Sequence, residues 1–277
     1  MAIKLVALDI DGTLLDSRGD LPIENRRAID ESVRRGVKVI LVSGRRWSMA
    51  RQVSAALQLT FPVVAHNGAL IRSPVDSHRL ASCFLKPGVA KKILAYAHEH
   101  LGYTVLHRDQ EFNSQTVIHP ACRKNLLMQG YLGQFSETVV ETESLVTWAD
   151  ADLIQIMFAG ELAAIMEIEG ILRFRAPDEQ LRLTKTYYPH KNLGIIDVLD
   201  KGCSKRTALE FLAGYYGVSR EETMAIGDNH NDLEMLEYAG IGVVVENCVE
   251  ELKGRGFEET TSNDEGGVAR ALHLFLG

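Results

Sequence analysis

The sequence predicts an α/β protein in which a doubly wound parallel sheet carries a smaller inserted α/β domain. Short apolar segments near both ends of the chain alternate with helix-like segments, as in strand–helix–strand units. The middle of the chain instead contains segments in which apolar and polar residues alternate, which is typical of half-exposed antiparallel strands. A polar connector that contains proline and begins near residue 73 separates the two patterns.

The first strand–helix–strand unit begins at the amino terminus. Its first segment, IKLVAL, is nearly all apolar, which fits a strand buried on both faces. Pro22 suits the first turn of the helix that follows, and Gly36 suits its end. The order implies a right-handed crossover between parallel strands. The elements predicted here are strand 3–8, helix 22–35, strand 37–44, helix 47–58 and strand 61–69.

The middle of the chain predicts a second domain inserted into the first. We place it at residues 83–190, between the core segments 1–82 and 191–277. Its predicted helices lie near 87–101, 120–130 and 160–170, and its predicted strands at 103–108, 116–119, 153–160 and 181–190. The doubly wound, Rossmann-like pattern then returns with helix 204–216, strand 223–227, helix 232–240, strand 241–245 and an amphipathic closing helix.

Composition allows a large buried core and excludes several classes of function. Of the 277 residues, 46% are hydrophobic, enough for one large domain or two modest ones. A net charge of −7 and a pI near 5.7 argue against a general nucleic-acid binder, which would present a basic surface. No apolar run approaches the roughly 20 residues of a membrane span, and the amino terminus does not resemble a signal peptide. We expect a soluble, cytoplasmic protein without nucleic-acid or membrane partners. The pattern carries no signal for an oligomeric state.

The cysteines lie in four different parts of the chain, at Cys83, Cys122, Cys203 and Cys248. No two of them have the CxxC spacing of a zinc or redox motif, so neither a disulfide framework nor a zinc site is expected. We expect buried free thiols in a reducing compartment.

Polar residues follow the predicted core strands at the points where the strands end. They are Asp9 and Asp11, Ser43-Gly44-Arg45, Asn67-Gly68, and Gly227-Asp228 with Asn231 and Asp232. Because the carboxyl ends of parallel strands meet at one sheet edge, we expect Asp9, Asp11 and Asp228 to converge there. Clustered carboxylates repel one another unless a cation joins them, and hard oxygen ligands beside a phosphate favour Mg²⁺ over zinc. The Ser43-Gly44 turn opens into a helix, whose amino terminus supplies N–H donors for a phosphate.

This ordered set resembles the four motifs of the haloacid dehalogenase (HAD) superfamily. The matching residues are Asp9-Ile10-Asp11-Gly12-Thr13, Ser43-Gly44-Arg45, Lys205 and Gly227-Asp228-x-x-Asn231-Asp232. The insertion between the second and third motifs, with Asn67-Gly68 before it, is similar to that of Cof-type (class IIB cap) phosphatases. The similarity covers the whole chain, including YAGIGVVVEN and SNDEGGVARAL, and the ordered quartet is more specific than DxDGT alone.

The resemblance implies a Mg²⁺-dependent phosphatase that hydrolyses a small phosphorylated metabolite, a sugar phosphate or similar monoester, through an aspartyl-phosphate intermediate. Asp9 would be the nucleophile and Asp11 the general acid and then the base. The implied phosphate-binding residues are Ile10 (through its backbone), Ser43, Gly44, Lys205 and Asn231. Asp9, the Asp11 carbonyl and Asp228 would bind Mg²⁺, while Asp232 would orient Lys205 or a metal-bound water. The inserted domain would be the cap that selects the substrate.

Two positions depart from the family pattern. Ser43 stands where the family often has Thr, and either hydroxyl can hydrogen-bond to phosphate. Arg206 follows Lys205 where the family usually has Gly, and is either a cation near the hinge or a side chain facing solvent. Lys201 is the alternative to Lys205 as the phosphate-binding lysine. Arg45 is either a site residue or a surface salt-bridge partner.

Two other functions use the same residues. A phosphosugar mutase on the same core would pass the phosphoryl group from Asp9 to a sugar instead of water. A non-catalytic sensor of phosphorylated metabolites would keep the fold, but the presence of both aspartates, the lysine and the metal aspartate argues against it. In the inserted domain, three charged residues are either substrate contacts or solvated loop charges: Arg108, Asp109 and Glu111.

Overall fold

The computed structural model describes residues 2–110, 114–133, 139–150, 152–176 and 181–277. The strands are β1 (Leu5–Leu8), β2 (Lys38–Leu41), β3 (Val63–Ala65), β4 (Leu70–Arg72), β5 (Arg79–Ser82), β6 (Thr104–Asp109), β7 (Ser114–Ile118), β8 (Val139–Glu141), β9 (Leu153–Glu161), β10 (Leu181–Tyr188), β11 (Leu193–Asp200), β12 (Thr223–Gly227), β13 (Ile241–Val245) and β14 (Glu258–Thr260). The α-helices are α1 (Ile23–Arg34), α2 (Trp47–Ala56), α3 (Pro87–Tyr96), α4 (Leu126–Leu132), α5 (Leu162–Arg175), α6 (Lys205–Tyr216), α7 (Leu233–Tyr238) and α8 (Gly267–Leu276).

A five-stranded parallel sheet forms the core of the first unit, in the order β14-β13-β12-β1-β2. All four residues of β1 are buried, as its unbroken apolar run predicts. Leu5 packs in a cluster with Leu209 of α6 and Met235 of α7. The intervening Val6 points to the opposite face and is buried as well, as expected of a sheet with helices on both faces. The doubly wound α/β prediction is confirmed.

A small antiparallel sheet, β3-β4-β5, extends this unit. A parallel bridge between Val42 and Val64 joins β3 to the residue that follows β2. The sequence predicted β3 but not β4 or β5. These two strands have only three and four residues and flank the polar connector, so neither shows a recognisable strand pattern.

The second unit is built on a six-stranded sheet in the order β10-β11-β9-β6-β7-β8. Neighbouring strands are antiparallel except β7 and β8. Its main core joins this sheet to α3 and α5 through apolar side chains such as Ile93, Phe158 and Ile168. In place of the predicted helix at 120–130, the chain forms a 3₁₀ turn, Pro120–Lys124, followed by α4. The predicted helix at 87–101 corresponds to α3, which ends earlier, at Tyr96.

The boundary between the two units differs from the prediction at one end. The chain divides into Met1–Ser82 with Ser204–Gly277, and Cys83–Cys203. The entry into the insertion at residue 83 agrees with the expected position, whereas the return lies at 204 instead of 191. The reason is β11, which pairs antiparallel with both β9 and β10 and so belongs to the inserted sheet. The segment 83–190 is therefore corrected to Cys83–Cys203.

The cysteines carry free thiols in the structure. Three are buried, and Cys83 is half-buried. Across the described ranges, no helix combines the length and the apolar character that crossing a membrane requires.

Candidate active site

The first aspartate of the opening motif lies where β1 ends. The Asp9 N–H donates to the carbonyl of Ile226 in β12 at 3.0 Å, so the sheet ladder fixes its backbone. A tight turn over Ile10–Leu14 then takes the chain off the sheet. Gly12 makes that turn with φ of 78°, and a Cβ at this position would lie 2.5 Å from Asp228 Oδ2. Glycine is therefore required both by the left-handed backbone and by the approach of the carboxylate.

Lys205 lies at the centre of the site, at the first turn of α6. The side chain of Ser204 accepts a hydrogen bond from Thr207 N at 3.1 Å and caps this helix. Only 1% of the Lys205 side chain is exposed, and its Nζ lies 2.5 Å from Asp9 Oδ1 and 2.6 Å from Asp232 Oδ1. Burial alone would lower the pKa of Lys205, but Asp232 and Asp9 outweigh it and hold that pKa above its usual range.

Both carboxylate oxygens of Asp232 accept hydrogen bonds from other groups of the site. Its Oδ1 accepts from Lys205, while its Oδ2 accepts from the backbone N–H groups of Asp228, at 3.1 Å, and Asn229, at 3.0 Å. A carboxylate with both oxygens engaged in this way holds the lysine and the loop that carries Asp228. These contacts go beyond the favourable interaction with a helix dipole that any acidic residue in a first turn provides.

The buried carboxylates outnumber the buried cation. Asp9, Asp228 and Asp232 bring carboxylate oxygens within 4.8 Å of one another. Burial, together with the charge of Asp232, raises the pKa of Asp228 to about 7. Burial likewise raises the pKa of Asp9 well above its usual range, despite the ion pair with Lys205. Three carboxylates against one lysine, with hard oxygen donors, fit a divalent cation.

Thr13 orients the Asp228 carboxylate. Its Oγ1 donates to Asp228 Oδ1 at 2.9 Å, and both groups are buried. In the sequence, Thr13 is only the last residue of the first motif, with no predicted partner. Since the two residues are 215 positions apart, no local pattern could have paired them.

The loops after β2 and β3 form a second part of the site. Ser43 is buried, and its Oγ accepts from the Arg45 N–H at 3.0 Å. A hydroxyl that accepts in this way can still donate its own hydrogen to a phosphate oxygen. Asn67 N–H donates to the Ser43 carbonyl at 3.0 Å, which ties the two loops together. At Gly44, a Cβ would lie 2.9 Å from Asn67 Oδ1, so this close approach needs glycine.

Asn67 belongs to the site although its role was not predicted. It is buried with φ of 55°, a left-handed conformation that Asn tolerates better than most residues. Its Oδ1 accepts from Asn231 Nδ2 at 2.9 Å, which joins the loop after β3 to the loop after β12. Asn67 therefore positions Asn231, one of the predicted phosphate-binding residues. Its place after a predicted strand end was the available signal.

Asp11 is placed differently from the other carboxylates. Its side chain is 61% exposed and is held by Arg45, whose Nε donates to Asp11 Oδ2 at 2.8 Å and whose Nη2 donates to Asp11 Oδ1 at 2.6 Å. The expected convergence of Asp9, Asp11 and Asp228 thus holds for two carboxylates, while the Asp11 carboxylate faces Arg45.

The other residues singled out from the sequence are also accounted for. Arg206 is exposed and its guanidinium lies 5.9 Å from the centre of the Tyr238 ring, so it stacks at the surface. Lys201, the alternative to Lys205, is exposed. In the second unit, Arg108 pairs with Asp150, while Asp109 is buried. Glu111 lies outside the described residues.

Comparison with known proteins agrees with this geometry. The model of the haloacid dehalogenase-like hydrolase family matches residues 6–272. A Bacillus subtilis relative, the 5-amino-6-(5-phospho-D-ribitylamino)uracil phosphatase YwtE, is 30% identical over 99% of this chain and 98% of its own length.

Solved structures show the same fold. A haloacid dehalogenase-like hydrolase from Bacillus subtilis is 26% identical, with a TM-score of 0.80 over 98% of this chain and 99% of that one. A subclass IIB sugar phosphatase, at 20% identity, has a TM-score of 0.78 over 98% of each chain, which is a likeness of fold alone. The chain therefore belongs to the haloacid dehalogenase-like hydrolases, in the Cof-type branch that its motifs resemble.

Proposed function

We propose that this hydrolase is a Mg²⁺-dependent phosphatase that acts on a small phosphorylated metabolite through a covalent aspartyl-phosphate on Asp9. The observation that carries the proposal is the buried group formed by Asp9, Lys205, Asp228 and Asp232. It presents a carboxylate oxygen, a fixed ammonium group and an excess of negative charge at one edge of a parallel sheet. Phosphoryl transfer needs such positioning and charge neutralisation, because the uncatalysed hydrolysis is very slow.

In the first step, a carboxylate oxygen of Asp9 attacks phosphorus, and the bond between phosphorus and the leaving oxygen breaks. Asp11 gives a proton to that oxygen. In the second step, water attacks phosphorus, its proton passes to Asp11, and the bond between phosphorus and Asp9 breaks. Asp9 and Asp11 end the cycle in their starting states, so no further reactant is needed beyond the ester and water.

The phosphate-binding groups would be Lys205, the Ser43 hydroxyl, Asn231 and the backbone at Ile10 and Gly44. Lys205 Nζ lies 2.5 Å from Asp9 Oδ1, a distance that supports a role for Lys205 in neutralising charge on the phosphoryl oxygens during transfer. Asn67 holds the Asn231 amide through the hydrogen bond at 2.9 Å. Together these groups would stabilise charge on the transferring phosphoryl group.

Asp9, Asp228 and the Asp11 carbonyl would hold Mg²⁺. When bound, the ion supplies charge neutralisation for the phosphoryl oxygens and relieves the repulsion among the buried carboxylates. Thr13 fixes one ligand, since its hydroxyl donates to Asp228 Oδ1 at 2.9 Å.

The substrate class is proposed as a sugar phosphate or a similar phosphate monoester, and the inserted unit as the part that selects it. The relative YwtE acts on a phosphorylated ribitylamino compound, which supports including ribityl phosphates in a substrate screen. Phosphorylated sugars, nucleotides and vitamin-type cofactors complete that screen. Release of free phosphate supports hydrolysis, whereas an isomeric sugar phosphate would indicate a mutase.

The proposal is tested by removing the metal. Phosphate release from p-nitrophenyl phosphate is expected to stop when EDTA is added and to return when excess Mg²⁺ restores the free ion. Activity that is unchanged in EDTA would contradict the metal requirement. Absence of phosphate release from every ester, with Mg²⁺ present, would contradict the phosphatase itself.

Thr13→Val is expected to raise the Mg²⁺ concentration needed for half-maximal activity by about tenfold, because the valine keeps the volume but no longer orients Asp228. The measurement is a Mg²⁺ titration of phosphate release. Thr13→Ser keeps the hydroxyl and serves as the matched control, with a requirement near that of the wild type. An unchanged requirement in Thr13→Val would show that Asp228 does not depend on this hydrogen bond.

A further inference from the structure

The one proposed catalytic group that stands apart from the buried site is Asp11. Both of its carboxylate oxygens accept hydrogen bonds from a single guanidinium, that of Arg45, at 2.8 and 2.6 Å. An arginine that grips a carboxylate with two parallel N–H groups fixes the plane of the carboxylate as well as its position. Such a contact restricts a side chain that would otherwise be free to rotate in solvent.

The backbone of Arg45 is itself held on both sides. Its N–H donates to Ser43 Oγ at 3.0 Å, and its carbonyl accepts from the His66 N–H at 2.9 Å. The Arg45 side chain is also the less exposed partner of the pair, at 21% against 61% for Asp11. The arginine is therefore the fixed partner, since it belongs to the loop that carries the proposed phosphate-binding hydroxyl of Ser43. The aspartate is the movable partner.

We propose that Arg45 is a positioning residue, whose guanidinium holds the Asp11 carboxyl group in the orientation from which it transfers a proton to the leaving oxygen. This inference rests on the proposed phosphatase mechanism. When one oxygen of Asp11 carries the proton, the other can still accept from Arg45, so the carboxyl group stays oriented while its O–H faces the leaving group. After the P–O bond breaks, the proton resides on the leaving oxygen and Asp11 regains both hydrogen bonds.

The loss of a residue that positions the proton donor affects esters differently according to their leaving group. The loss of a merely structural residue affects all esters alike. Proton donation matters most when the leaving oxygen is strongly basic, as in phenyl phosphate, and least when it leaves readily, as in p-nitrophenyl phosphate. The two esters share the same ring, and kcat/KM reports the steps up to departure of the leaving group. Their ratio, measured on one sample, is also independent of how much of a variant has folded.

The experiment compares Arg45→Gln with the wild type on both esters in Mg²⁺. We expect kcat/KM for phenyl phosphate to fall by about 10- to 100-fold and that for p-nitrophenyl phosphate by less than about threefold. Arg45→Lys keeps the positive charge but not the bidentate contact of the guanidinium, and should recover part of the loss. Asp11→Asn should show the same selectivity, and the double variant should be no more selective than Asp11→Asn alone, because both changes remove one function.

Arg35→Gln is the matched control, since Arg35, directly after α1, donates to Glu31 Oε1 at 2.6 Å in a surface ion pair. It should leave both values unchanged. Equal losses on the two esters in Arg45→Gln would overturn the inference and assign Arg45 to the phosphate. No loss on either ester would also overturn it and leave a surface salt bridge. A wild type that hydrolyses neither ester would instead refute the proposed function, and the inference with it.

Discussion

Asp9→Asn is expected to lower phosphate release from p-nitrophenyl phosphate by about 10⁴-fold or more, because the amide is not a nucleophile toward phosphorus. The variant should still fold. The amide matches the carboxylate in size, and Lys205 keeps its ion pair with Asp232 at 2.6 Å. The measurement is a steady-state assay at saturating Mg²⁺, with thermal unfolding recorded on the same preparation.

Asp20→Asn is the matched control, because its side chain is exposed and lies outside the site. It should retain wild-type activity. If Asp9→Asn kept more than a few per cent of the wild-type rate, the covalent route through this residue would be wrong, and the site would have to activate water directly.

Lys205→Met is expected to affect both activity and stability, because it removes the only buried cation that contacts Asp9 and Asp232 in the described part of the chain. Loss of one preorganised group beside the transferring phosphoryl should lower kcat about 10²- to 10³-fold. Leaving two buried carboxylates without their partner should lower the free energy of unfolding by about 3–5 kcal/mol. Phosphate release and urea unfolding measure the two effects.

Lys201→Met provides the control, since Lys201 is the exposed lysine four positions earlier. Its activity and urea midpoint should match those of the wild type. Loss of activity in Lys201→Met with retention in Lys205→Met would reverse the assignment of the phosphate-binding lysine. Added Mg²⁺ should restore part of the stability lost in Lys205→Met, because the ion would bind Asp9, one of the two carboxylates left without a partner.

The sequence was a good guide to the central strands of the first unit, because β1 and β12 are buried throughout and therefore consist mostly of apolar residues. The run before Asp9 predicts β1 directly, and strand ends that share one sheet edge predict that Asp9 and Asp228 meet. The return from the inserted unit was misplaced because β11 (LGIIDVLD) is apolar enough to resemble a core strand. Only its pairing with β9 and β10 assigns it to the inserted sheet.

Side-chain partners within the site were less predictable than backbone positions. Thr13 and Asp228, or Asn67 and Asn231, are brought together by loops that are distant in sequence, so the spacing of residues along the chain carries no sign of the hydrogen bond. Asp11 illustrates the same limit. Its sequence position predicts the edge of the sheet, but rotation about its side-chain bonds and the reach of Arg45 decide where the carboxylate lies.

The intact mass of the Asp11→Asn variant after mixing with p-nitrophenyl phosphate and Mg²⁺ tests the covalent mechanism most directly. This ester can phosphorylate Asp9 without a proton from residue 11. Hydrolysis of the resulting aspartyl-phosphate lacks its general base in this variant, so the phosphorylated protein should accumulate. We predict a mass increase of one phosphoryl group that maps to Asp9. The increase should be absent in the double variant that carries Asp9→Asn as well as Asp11→Asn. Continued turnover with no adduct, or an adduct on another residue, would contradict it.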